Sequence, residues 1–194
     1  MIKDIIVIDD IISSELQDEI KNTLLGYNFP WYFVSDVTFD SRSEENLKRP
    51  AFAHDFILDN KINSNYAEMV LPIIRNATQA INFKYNFIIR SKAFLQLPLS
   101  NIVGEKADPL HVDIFSDHLV IIYYVCNSQA RTIITDKKYD PLEIKKHNLK
   151  ASDFNIIKTV EPKQGRVVIF DGLLYHTGEQ PHKGIRSLIN FNLD

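Results

Sequence analysis

His111, Asp113 and His176 are the residues whose types and spacing could do chemistry. Two imidazoles and one carboxylate can hold a ferrous ion on one face and leave the opposite coordination positions open, the arrangement used by non-haem iron centres. In an extended strand, positions i and i+2 point to the same face, so His111 and Asp113 can converge while Val112 turns away. His176 must arrive from another segment, because one strand cannot supply a third donor at the required angle. Both imidazoles must be neutral to bind a metal, so affinity should fall below about pH 6.5. The short motif alone carries little weight: with 6 His and 16 Asp in 194 residues, chance supplies about half a His-x-Asp per chain. Its setting carries more.

Ten residues past His176, Arg186 lies in the run Gly184 to Asn192, which is otherwise fit for a core strand. An inward-facing Arg there leaves a buried charge unless an anion meets it. The planar guanidinium fork suits the carboxylate of an organic acid. The alternative is an Arg facing outward on an edge strand.

The elements that must position these groups read as follows. Residues 2–8 form a strand. Ser14-Glu15-Leu16-Gln17 fits a capping box, with Leu16, Ile20 and Leu24 on one helical stripe and Gly26 as the stop. Residues 31–39 and 51–58 resume strand character. A second helix covers roughly 65–81, capped by Asn65 and Glu68, and Pro72 predicts either a kink or two abutting helices. From Phe87 onward come short strands at 87–97, 109–114, 118–126, 131–135, 155–160, 166–170, 174–178 and 185–192, with a charged helix from Asp140-Pro141 to about Lys150. Turns at Gln164-Gly165 and Asp171-Gly172 bracket the strand that leads to His176. This pattern predicts an α+β chain, with N-terminal helices over residues 1–86 bracing a C-terminal double-stranded β-helix (jelly roll) over 87–194.

Bulk properties set bounds. A chain of 194 residues fits a single domain. The net charge of −3 argues against nucleic acid and anionic membrane as partners. The N-terminus lacks a sustained apolar core, so it does not read as a signal peptide. The longest apolar run, Leu119 to Cys126, is too short to span a bilayer. A single cysteine, Cys126, reads as a small buried hydrophobe and suits a cytoplasmic location.

At these residues the chain resembles the iron(II)/2-oxoglutarate-dependent dioxygenase superfamily, on its prolyl-4-hydroxylase-like side, and looks especially like small oxygenases encoded by some bacteriophages. The resemblance rests on His111-Val112-Asp113, on Ile121 to Val125, on Lys163 to His176 and on Arg186 to Asn192, in that order. It implies iron ligands at His111, Asp113 and His176, with Arg186 on the distal carboxylate of 2-oxoglutarate. It further implies that Tyr124 donates a hydroxyl to the same region, that Asn190 adds a contact, and that Tyr123 points the other way. The implied activity is hydroxylation of an aliphatic carbon with decarboxylation of 2-oxoglutarate to succinate. Fe(II), 2-oxoglutarate and dioxygen are then required, with ascorbate as an optional reductant, and the substrate is a small molecule or a peptide. The chain departs from the family's pattern at Cys126, where Asn is common, and at Ser128 to Arg131, where a glycine-rich acidic turn is common. Collagen prolyl hydroxylases carry Lys at the position of Arg186, so their substrate does not transfer.

Two other classes compete: a jelly-roll binding module that keeps the metal without turnover, and a zinc hydrolase with a His/Asp/His site. The second leaves Arg186 and Tyr124 unexplained. Elsewhere, His118 reads as structural, and His54, His147 and His182 read as surface or capping groups. Phe29 to Phe33 lines either a core or a substrate groove. Arg90 and Lys92 share one strand face and meet either an anionic substrate or solvent.

Overall fold

The computed structural model describes residues 2–37, 49–99, 107–141 and 149–194. Eight strands make one large sheet in the order β1 (Ile6–Ile8), β9 (Val167–Asp171), β6 (Leu119–Tyr124), β11 (Arg186–Leu193), β5 (Ile88–Gln96), β3 (Ala51–Leu58) and β2 (Tyr32–Val34), with β4 (Lys61–Ile62) paired to β3. A smaller sheet runs β10 (Leu174–Gly178), β7 (Thr132–Lys138), β8 (Ile156–Val160). Every pairing is antiparallel. This is the expected jelly roll, and two helices, α1 (Ser14–Leu24) and α2 (Ala67–Ala80), brace it.

The period of two along each strand divides the large sheet into two working faces. Leu119, Ile121 and Tyr123 of β6 and Ile189, Phe191 and Leu193 of β11 pack with Ile20, Leu24, Val70, Ile73 and Ile74 of the helices. The intervening residues Val120, Ile122 and Tyr124, with Leu188, face the small sheet and join Ile134, Val160, Val168, Phe170 and Leu174. Tyr123 and Tyr124 therefore point to opposite faces, as the alternation predicts. Cys126 is buried and its thiol is pushed up by that burial, as expected of a small hydrophobe.

Several local expectations are corrected. The cap of α1 is Ser13, whose Oγ accepts from the Leu16 amide, rather than Ser14. No capping box closes on Gln17, because that side chain is buried and donates instead to Asp10 Oδ1 and the Ile12 carbonyl. Gly165 sits against it at φ +80°, where a Cβ would overlap the Gln17 amide. The start of α2 is served by the Ser64 carbonyl and hydroxyl, not by Asn65 or Glu68. At Pro72 the chain forms one helix, not two abutting ones. Residues 109–114 do not form a strand; a lone bridge pairs His111 with His176. His54 is buried rather than superficial. It bonds the Pro30 carbonyl and Ser64 Oγ within a cluster of Phe29, Phe56 and Tyr66. The aromatic stretch divides, with Phe29 in the core and Tyr32 and Phe33 exposed. The expected helix after Asp140 and His147 fall mainly outside the described residues. Among the described residues no helix is long and apolar enough to cross a membrane.

Candidate metal centre

Two segments deliver the donor atoms. His176 stands on β10, whose register places it opposite Ile134 of β7. His111 joins it through reciprocal backbone hydrogen bonds of 3.0 Å, so the bridge sets one imidazole beside the other, with ring centroids 4.7 Å apart. Asp113 follows two residues on. One ligand atom from each of His111, Asp113 and His176 lies within 4.8 Å of the others, and His176 Nε2 is 3.8 Å from Asp113 Oδ2.

The side chains are oriented so that they could hold a metal ion. His176 Nδ1 lies 3.0 Å from the Leu174 carbonyl and His111 Nδ1 lies 3.3 Å from the Pro109 carbonyl. A carbonyl oxygen only accepts, so each Nδ1 carries the proton and each Nε2 keeps its lone pair for a cation. Burial drives the His176 imidazole down to about 4, helped by His111 and opposed by Asp113, so it is neutral at ordinary pH. Burial works against ionisation of Asp113. His176, His111, Arg90 and the Asn190 amide together outweigh it and hold the carboxyl well below the usual carboxylate range.

Asp113 is also fixed in direction. Its Oδ2 accepts from Asn190 Nδ2 at 2.9 Å and Asn192 Nδ2 at 3.0 Å, and its Oδ1 meets Arg90 Nη2 at 3.2 Å. Because Asn190 must present its NH₂ to the carboxylate, its Oδ1 is left as a buried acceptor with no partner among the described residues. Two imidazoles whose Nδ1 atoms face carbonyls, an ionised carboxylate and a leftover buried acceptor fit a divalent cation with its remaining positions open.

At the far end of β11, Arg186 is buried and faces the space between the sheets. Nε donates to the Ala130 carbonyl at 3.1 Å, Nη1 to Gln96 Oε1 at 2.9 Å and Nη2 to Thr132 Oγ1 at 3.0 Å. Tyr124 Oη donates to the same Thr132 oxygen at 2.7 Å. Among the described residues no carboxylate lies within ion-pair distance of Arg186. Burial lowers its pKa while Tyr124, Asp108 and Glu179 oppose that.

The six residues singled out in the sequence thus fall into two clusters. His111, Asp113, His176 and Asn190 meet at one, and Arg186 with Tyr124 forms the other. Sequence reasoning did not mark Asn192, Gln96 or Thr132. Asn192 and Gln96 lie on the face shared with Arg186 and Asn190, so extending the i+2 count along β11 and across the ladder to β5 finds them, whereas Thr132 reaches Arg186 from the small sheet. His118, as expected, is structural: it is fully buried, bonds the Ser116 carbonyl at 2.7 Å and packs on Gly172. His182 is exposed.

No protein-family model matches the chain, and no curated protein matches it in sequence. Its fold does match solved structures. A 2OG-Fe(II) oxygenase family oxidoreductase from Burkholderia pseudomallei aligns at TM-score 0.66 and 10% identity, over 98% of this chain and 84% of that one. A prolyl hydroxylase from Trichoplax adhaerens, solved with a peptide fragment of the hypoxia inducible factor oxygen degradation domain, aligns at 0.62 and 12% identity over 97% and 82%. The alpha ketoglutarate dependent carbocyclase SnoK of nogalamycin biosynthesis aligns at 0.66 and 10% identity over 98% and 79%. At such identity the likeness is one of fold: the chain has the architecture of the 2-oxoglutarate/iron oxygenases.

Proposed function

We propose that this chain is an iron(II)- and 2-oxoglutarate-dependent dioxygenase that hydroxylates an aliphatic carbon of a small-molecule or peptidyl substrate. The observation that carries the reading is the pairing of a His111/Asp113/His176 donor set with a buried guanidinium, Arg186, in the same inter-sheet space. His111, Asp113 and His176 would hold the iron. Arg186, with the Tyr124 hydroxyl, would take the distal carboxylate of 2-oxoglutarate, satisfying a charge that among the described residues stands buried without an anion. When bound, ferrous iron supplies the activation of dioxygen that couples decarboxylation of 2-oxoglutarate to substrate oxidation. Burial keeps Tyr124 protonated and therefore a donor. Ile122, Ile134, Val168, Phe170 and Leu188 form an apolar floor that excludes water from the space between the clusters.

Protein reconstituted anaerobically with ferrous iron and carboxyl-labelled 2-oxoglutarate, then exposed to air, should release labelled carbon dioxide even without substrate. His176→Ala should abolish iron binding, and Arg186→Ala should mainly raise the 2-oxoglutarate requirement. Because the fold is shared with a carbocyclase, the product itself must be weighed: hydroxylation adds one oxygen atom to the substrate's mass. Iron-loaded protein that never consumes 2-oxoglutarate would instead be a metal-keeping binding module. Preference for zinc under anaerobic preparation would favour a hydrolase.

A further inference from the structure

Arg90 and Lys92 stand on β5 with their side chains on the face that carries Gln96 and, across the ladder, Asn192, Asn190 and Arg186. Among the described residues neither contacts the Arg186 cluster. Arg90 spends Nε on Asn192 Oδ1 at 3.1 Å and one terminal nitrogen on Asp113 Oδ1 at 3.2 Å, and its other terminal nitrogen has no partner among the described residues. Lys92 reaches Asp55 at 3.5 Å, and its ammonium lies 5.5 Å from the Phe94 ring centroid. That ion pair is long and Asp55 is 37% exposed, so it restrains Lys92 weakly. Both cations are accessible without being loose: the side chains are 24% and 17% exposed.

Position separates this pair from the co-substrate end. Arg90 pairs with Asn192 and Gln96 pairs with Arg186, so the two guanidinium-bearing positions lie six residues apart, about 20 Å along the strand. A five-carbon diacid held by Arg186 cannot also occupy Arg90. A divalent cation taking the Asp113 carboxylate would weaken the one ionic contact that Arg90 has among the described residues. That leaves a fork and an ammonium side by side at the opposite rim of the metal centre, beside the half-buried Phe94.

We propose that Arg90 and Lys92 form the substrate's anion subsite, gripping a carboxylate so that the neighbouring carbons lie over the His111/Asp113/His176 centre. The inference deepens the oxygenase reading by naming a substrate class: carboxylate-bearing molecules whose body packs against Phe94.

The test is equilibrium binding to protein saturated with ferrous iron and 2-oxoglutarate under anaerobic conditions. The probes are the free amino acids, their amides, and blocked short peptides carrying Glu or Gln at the centre. A carboxylate probe should bind wild type, with its neutral amide about 10- to 100-fold weaker. Arg90→Gln and Lys92→Gln should each erase that difference, and Arg90→Lys should restore part of it. Lys92→Gln leaves every hydrogen bond to Asp113 in place, so its loss of discrimination cannot come from a disturbed metal ligand; iron affinity measured in the same variants checks this. A free acid that binds where the Glu peptide fails identifies a metabolite, and the reverse identifies an acidic peptide; either supports the subsite. Three results overturn it: no carboxylate binding wild type, acid and amide binding alike, or Lys92→Gln retaining full discrimination. Carboxylate binding through Arg90 and Lys92 without succinate formation would remove the oxygenase reading and leave the subsite. Succinate formation with no charge discrimination would do the opposite.

Discussion

Gly178 lies flat against the Arg186 guanidinium, and a Cβ there would stand 3.0 Å from Cζ and from both terminal nitrogens. Gly178→Ala should therefore tilt the fork off Gln96 and Thr132 and weaken 2-oxoglutarate binding by about tenfold while leaving iron affinity unchanged; calorimetry with each ligand reads both. Thr132 has a different burden. Its single hydroxyl oxygen accepts from Arg186 and Tyr124 at once, so Thr132→Val would orphan two buried donors. The expected cost is about 2 kcal/mol of unfolding free energy by urea titration, with weaker co-substrate binding besides. These roles could not be read from the chain: Thr132 and Gly178 are ordinary strand residues until β7, β10 and β11 bring them against one guanidinium. Arg186 itself was legible, because a lone Arg inside an apolar alternating run demands an explanation.

Elements were legible where one rule decides them. Residues 51–58 form β3 to the residue, and 174–178 form β10, since each is a short run with strand-forming residues between turns. Residues 109–114 misled because Pro109 offers no amide to a ladder and, among the described residues of the stretch, only His111 forms a β-bridge. The donor convergence expected of a strand is instead supplied by that one bridge and the turn after it. His54 misled for another reason: its partners, Pro30 and Phe29 before β2 and Ser64 and Tyr66 before α2, sit at spacings that follow no helix or strand period. Pro72 survives inside α2 because the helix is held by Val70, Ile73, Ile74 and Ala77 against the sheet. Its missing amide still forfeits a hydrogen bond to the fourth residue before it. Pro72→Ala should raise unfolding free energy by about 1 to 3 kcal/mol, seen as a higher urea midpoint at unchanged slope.

Over the whole molecule, the donor set should make the stability of metal-free protein depend on acid. In the folded chain His176 is pushed from 6.5 down to about 4, so below 6.5 the unfolded chain takes up a proton that the folded one refuses. Stability then falls as pH drops from about 6.5 towards 4, by on the order of 3 kcal/mol, and levels beneath that. Asp113 acts lower still: its contribution is intact above its unfolded value and is lost only as pH falls below 3.8. Urea titrations of metal-free protein at about pH 7 and about pH 4.5 should expose the difference. At neutral pH, ferrous iron at a hundredfold excess over its Kd should add about 3 kcal/mol, and a chelator should remove it. The jelly roll was foreseeable from the density of short strands, whereas the split into eight and three strands depends on long-range register. That split leaves β11 with a divided allegiance: Arg186, Asn190 and Asn192 look toward the chemistry, while Ile189, Phe191 and Leu193 look toward the helices. A saturation mutagenesis scan along this one segment should consequently oscillate, every second position damaging turnover at constant abundance and the alternate positions damaging abundance first.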